Sequence, residues 1–150
     1  MIRVETSVHI DRPSEEVFAF IANFENNPLW QSGQVKARFT SEGPLQVGST
    51  YDQVAKFLGR QIVSTFEVLE YEPGRRIKAS STSGSFPITF TRMVEAVGDG
   101  ADVSAVIEGD ASGFFKLAEP LLGRMVQRSV EADYRNLKQL MEHEGDNDGR

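Results

Sequence analysis

From Ile2 to Ile10 the chain alternates apolar or β-branched residues (Ile2, Val4, Thr6, Val8, Ile10) with Arg3, Glu5, Ser7 and His9. A period of two puts the first set on one side of an extended chain, so this segment is expected to be a strand with one buried face. Pro13 and Ser14 end the strand and open a helix, with Glu15 and Glu16 in the first turn, where the positive end of the helix dipole favours acids. Val17, Phe18, Phe20, Ile21 and Phe24 supply its apolar side, Asn26, Asn27 and Pro28 break it, and Leu29 and Trp30 read as one more short turn. Between Gly33 and Asp110 turn residues recur every ten or so positions, which predicts six strands near 33–41, 49–57, 61–71, 75–83, 87–97 and 101–110. Gly98, Asp99 and Gly100 carry the clearest hairpin signal.

After Gly113 the period becomes helical. Phe114, Ala118, Leu121 and Met125 form one apolar row, and Leu122, Val126, Val130, Leu137 and Met141 form a second beside it. Arg124, Arg128, Glu131, Arg135, Lys138 and Glu142 occupy the other side. A helix over 113–143 spans about 46 Å at 1.5 Å per residue, with Pro120 either kinking it or marking its true start. Residues 1–144 are expected to form one domain, and the polar residues 145–150 a disordered tail.

The element order is a strand, one or two short helices, six strands and one long amphipathic helix. That order predicts an α+β fold in which a seven-stranded curved antiparallel sheet wraps around the C-terminal helix. A curved sheet touches a straight helix only along a line, and the gap left beside that line is a natural ligand cavity.

The residues Ile10 to Phe18, Asn27 to Trp30, Gly48, Glu70 to Pro73, Val97 to Gly100, and Leu137 with Lys138 resemble the SRPBCC superfamily of START-like helix-grip domains. Within it they resemble the polyketide cyclase/dehydrase-like branch. The resemblance implies a deep hydrophobic cavity between sheet and C-terminal helix, used across relatives to bind lipids, polyketides, hormones or aromatic compounds. Its members include enzymes, carriers and regulators, so fold alone does not assign a role.

Composition narrows the chemistry. Sixteen basic residues against 22 acidic ones leave a formal net charge of −6, which gives no electrostatic reason to expect a nucleic-acid partner. The absence of cysteine removes disulfides, thiolate metal sites and a cysteine nucleophile, and suits a reducing compartment. Met1 to Ile10 has no apolar run of signal-peptide length and no stretch approaches a membrane span, so a cytoplasmic location is expected. The two histidines, His9 and His143, lie far apart and outside any H-E-x-x-H spacing, so no metal and no cofactor is expected. No nucleophile elbow, dinucleotide fingerprint or phosphate loop occurs.

Candidate ligand contacts follow from the strand phases. Tyr51 and Gln53 share a strand face with Ala55 and Phe57, giving an apolar lining a hydroxyl and an amide, or else forming ordinary buried hydrogen bonds. Arg92 falls between Phe90 and Val94 on the same alternation, which points a guanidinium inward unless a bulge turns it outward. Pocket arginines of aromatase/cyclase relatives position or polarise a poly-keto substrate, and Arg92 resembles them in setting; Arg92 and Tyr51 are the weak catalytic candidates. Trp30 either stacks on a ligand near the cavity mouth or packs in the core. Val35, Phe66, Phe90, Ala105, Ile107, Leu121 and Met125 complete the expected lining.

Three functions fit this reading. The first is binding of a small hydrophobic molecule that is lipid-like, polyketide-like or aromatic, by a monomer or homodimer. The second is polyketide cyclase/aromatase or dehydratase chemistry. The third is an interaction module whose cavity is filled by some of the ten phenylalanines.

Overall fold

The structure is a computed structural model that describes the backbone of residues 1–148, together with their side chains except at position 112 and from position 144 onward. Strand β1 (Ile2–Ile10) is followed by helix α1 (Ser14–Ala22), a single 3-10 turn (Phe24–Asn26) and the short helix α2 (Asn27–Trp30). Six strands follow: β2 (Gln34–Phe39), β3 (Thr50–Phe57), β4 (Arg60–Glu72), β5 (Arg76–Gly84), β6 (Ile88–Val97) and β7 (Gly100–Gly109). They form one antiparallel seven-stranded sheet in the order β1-β7-β6-β5-β4-β3-β2, so each strand from β2 to β7 pairs with its sequence neighbour and β1 closes onto β7. The turns match their residues. Leu58 and Gly59 both have positive φ (51° and 75°), the requirement of a two-residue hairpin turn whose twist matches that of the flanking strands.

The expected single helix over 113–143 is instead two. A short helix α3 (Ser112–Phe115) stops at Lys116, whose φ of 55° takes the backbone out of the helical region. Helix α4 (Glu119–Asp148) starts afresh with Pro120 in its first turn, where a missing N–H costs nothing. Pro120 therefore marks a start and not a kink. The helical backbone runs past Gly145, where a disordered tail was expected, as far as Asp148; residues 149 and 150 lie outside those described.

Helix α4, about 45 Å long for its 30 residues, lies along the open side of the sheet close to β1. Lys138 Nζ donates to His9 O at 2.7 Å, Gln127 Nε2 donates to Glu5 O at 2.9 Å, and Asp11 N donates to Glu142 at 2.8 Å. Leu122, Tyr134, Leu137 and Met141 are its buried face. Val17, Phe18 and Ile21 of α1 pack onto the sheet, so one end of the concave face is filled and the remainder is left to α4. Among the described residues no helix is long and apolar enough to cross a membrane.

Candidate functional site

The gap between sheet and α4 contains two chambers, of about 170 Å³ and 180 Å³. Ile62, Ile88, Ile107 and Val130 line both, so the chambers adjoin across a waist formed by these four side chains. Larger grooves elsewhere, such as the one of about 510 Å³ between α1 and Tyr71, are open surface features.

The first chamber is apolar. Phe57 ends β3, Phe86 sits in the turn before β6 and Phe115 ends α3, and their rings converge on it: Phe57 and Phe115 meet edge to face at 5.4 Å between centroids, Phe86 and Phe115 at 6.0 Å. Outside them Arg60 donates to Phe114 O at 2.9 Å, and its guanidinium carbon lies 4.2 Å above the Phe114 ring. That contact pins α3 against the β3–β4 hairpin.

The second chamber is partly polar. Gln31, Gln34, Gln53, Arg92, Asp133 and Tyr134 line it together with Ile88, Phe90 and Ile107. Arg92 is 3% exposed. Its Nη1 donates to Ile21 O at 2.8 Å and to Asn27 Oδ1 at 3.1 Å. Its guanidinium carbon sits 4.9 Å from the ring centroids of both Trp30 and Phe90, and 5.5 Å from that of Phe24. Ile21 is in the last turn of α1, where carbonyls lack intrahelical donors and carry the negative end of the dipole. No basic residue of α1 itself stands there, so the sheet supplies one through Arg92. A buried guanidinium is thus tolerated by a helix end, an amide oxygen and three ring faces, and it fastens α1 and α2 to β6.

Asp133, like Gln31, Gln34 and Tyr134, is a group of this chamber that the sequence reading did not single out. Its Oδ1 accepts from Ser32 N at 3.1 Å and from Ser32 Oγ at 3.2 Å. Burial pushes its carboxyl above the usual aspartate range, and the Ser32 donors pull the other way. The signal was present: Asp133 falls at i+3 from Val130 and i−4 from Leu137, a polar residue on the apolar row of the helix.

The residues expected at the site divide into three groups. Gln53, Phe66, Phe90, Arg92 and Ile107 line the polar chamber. Trp30, Tyr51 and Ala105 are instead buried in the core and line neither chamber. Trp30 packs edge to face on Tyr134 at 4.9 Å, and Tyr51 stacks on Phe66 at 5.1 Å with 10° between the rings. Burial raises the Tyr51 hydroxyl far above the ordinary tyrosine range, against the pull of Arg92, and that hydroxyl has no hydrogen-bond partner. Val35 and Leu121 are 53% and 46% exposed, and partly buried Met125 lines neither chamber.

Two local irregularities account for these displacements. A register shift between Gln34 and Lys36 turns Gln34 into the cavity and Val35 out of it, although Val35 is in phase with Ala37 and Phe39. In α4, steps from Ala118 through Leu121 and Met125 lead on to Arg128 and Arg135, the solvated side, while steps from Leu122 lead to Val126, Val130 and Leu137.

Residues 1–142 match the family model described as polyketide cyclase / dehydrase and lipid transport. No curated protein sequence matches the chain. Among solved structures, a START superfamily protein from Mycobacterium smegmatis superposes with a TM-score of 0.79 at 14% identity, over 94% of this chain and 97% of that one. A protein from Thermus thermophilus gives a TM-score of 0.76 at 17% identity, over 91% and 94%. The di-domain ARO/CYC BexL from the BE-7585A biosynthetic pathway gives 0.71 at 21% identity, over 93% of this chain and 46% of that one. At these identities the likeness is one of fold.

Proposed function

Because the chain belongs to the polyketide cyclase / dehydrase and lipid transport family, we propose that the adjoining chambers hold a small, mostly apolar molecule with one polar end. The observation that carries this reading is an aromatic chamber set beside a chamber walled by Gln34, Gln53, Arg92 and Asp133, the two sharing the apolar lining of Ile62, Ile88, Ile107 and Val130. Affinity comes from apolar area removed from water, about 25 cal/mol per Å². The polar wall fixes orientation. A collapsed core, the basis of an interaction module, is disfavoured by chambers of about 170 and 180 Å³, each several times the roughly 30 Å³ that one water occupies in the liquid. Native mass spectrometry of protein purified from its own host, compared with the denatured mass, is expected to show a retained apolar compound. Bare protein that also fails to bind N-phenyl-1-naphthylamine, a neutral apolar fluorophore, overturns the reading.

A second reading, cyclisation with loss of water from a poly-keto substrate, is favoured by Asp133. Acid–base chemistry needs a titratable group at the cavity wall, and Asp133 is a carboxyl group in that position. The same preparation separates the two readings, since an enzyme converts a poly-β-keto thioester into a product lighter by one water faster than the chain cyclises in buffer alone.

A further inference from the structure

The polar chamber has more hydrogen-bonding capacity than the protein uses. Gln34 Oε1 is buried without a partner. Both described bonds to the Asp133 carboxylate fall on Oδ1, and Asp133 lines the chamber. Gln53 adds an amide on the facing strand. A buried acceptor without a donor is costly, so an occupant that donates is favoured over one that does not.

Charge then narrows the occupant. The lining carries one cation, Arg92, and one anion, Asp133. Arg92 directs Nη1 at Ile21 O and Asn27 Oδ1, is hydrogen-bonded to Tyr134 and is enclosed by the rings of Phe24, Trp30 and Phe90, so its described donors are used within the protein. Asp133 is only partly buried, and both described bonds to it fall on one oxygen. An anionic head group therefore meets a carboxylate and no described unused donor of Arg92, and like charges in close contact are costly. A cationic head is opposed by the guanidinium, whose charge remains although its donors are used. A neutral donor meets neither penalty.

Building on the small-molecule reading above, we infer that the ligand's polar end is a neutral hydroxyl, phenolic or alcoholic, donated to Gln34 Oε1 or to the Asp133 carboxylate, and that the site rejects the corresponding carboxylate. The apolar body extends past Ile107 and Val130 toward Phe57 and Phe115. This makes Gln34 and Asp133 the residues that set specificity, one on β2 and one on α4, while the aromatic chamber supplies affinity without discriminating between head groups.

The test is displacement of N-phenyl-1-naphthylamine at pH 7.5 by three compounds of one ring system: 2-naphthol, naphthalene and 2-naphthoate. The expected order is 2-naphthol first, naphthalene at about fivefold higher concentration, and 2-naphthoate at least about tenfold above 2-naphthol, in line with the net worth of one buried hydrogen bond and the cost of one unpaired charge. Asp133→Asn keeps an oxygen for Ser32 and removes the charge, and it is expected to shrink the naphthol-to-naphthoate ratio at least about fivefold. Gln34→Leu is expected to erase the advantage of naphthol over naphthalene. Equal or tighter binding of 2-naphthoate by the unaltered protein, or a ratio that Asp133→Asn leaves unmoved, overturns the inference while the cavity reading stands. Failure of the fluorophore to bind at all overturns the cavity reading and the inference with it.

Discussion

The apolar chamber is closed by rings brought from three separate turns, Phe57 before the β3–β4 hairpin, Phe86 before β6 and Phe115 at the end of α3, whereas the polar chamber is closed by side chains of regular elements. Gln53, Phe90 and Arg92 stand on central strands and Asp133 and Tyr134 on a long helix, so backbone ladders hold them in place. The difference is one of precision. Ring packing tolerates small shifts, because dispersion and area burial depend weakly on angle. Hydrogen bonds do not, and Gln53, Arg92 and Asp133 sit on the stiffer frame, whereas Gln34 stands at the register shift of the edge strand β2. Turns supply the part of the site that needs volume, and strands and helix supply the part that needs geometry.

The most damaging way to test that division is to loosen the frame at the polar end. Arg92→Met keeps much of the side chain's length and apolar contact but leaves Ile21 O and Asn27 Oδ1 without their donor, Asn27 being almost fully buried. Charge-assisted hydrogen bonds are worth roughly 1.5–3 kcal/mol each, partly offset because a buried cation is removed as well. A net loss of about 3 kcal/mol is expected in urea unfolding, with α1 and α2 the first elements to lose amide-exchange protection. A change below about 0.5 kcal/mol would mean that Arg92 does not fasten the helices and that its charge is available to a ligand.

A smaller effect is expected at the waist. Val130 lines both chambers, and Val130→Phe is expected to fill the waist between them, lowering affinity for N-phenyl-1-naphthylamine at least tenfold, about 1.4 kcal/mol. Urea stability is expected to change by less than the roughly 1–3 kcal/mol that overpacking a filled core costs, because the ring enters existing space. Leu121→Glu is the control: at 46% exposed it is expected to leave binding unchanged. If the two variants behave alike, the waist is not on the ligand's path.

What the sequence makes legible is phase, and what it hides is the place where phase slips. Ile2 to Ile10 alternates without interruption and becomes β1, paired residue for residue with β7. Phe90, Arg92 and Val94 alternate equally well, and Arg92 is buried among them. Val35 carries the same signal relative to Ala37 and Phe39, yet one extra residue at Gln34/Lys36 reverses it, and Gly33 just before it reads equally well as the turn that opens the strand. Leu121 and Met125 belong to an apolar row whose next steps are Arg128 and Arg135, so that row turns to the solvated side while Leu122, Val126, Val130 and Leu137 face the sheet. Asp133 is a different case: its place on the apolar row of the helix was legible, but a lone acid on a helix reads as solvated, and only the donors brought by Ser32 from a distant element give it a setting.

That setting gives the smallest and most specific expected effect, which is a matter of sign. Burial raises the Asp133 carboxyl above its unfolded value, with Ser32 opposing, so between the unfolded and folded values the native state holds a proton that the unfolded chain has released. Over that window stability falls as pH rises, the reverse of a carboxylate held by an ion pair. Other carboxylates titrate in the same range, so the readout is the difference between Asp133→Asn and the unaltered protein. From pH 4 to pH 7 that difference is expected to move in favour of the variant by less than about 1 kcal/mol, because water reaches the carboxylate and screens it. Movement the other way would show Ser32 to be the stronger influence, making Asp133 a stabilising anion. The polar chamber would then be a charged one, built for a different head group from the one its unused acceptors favour.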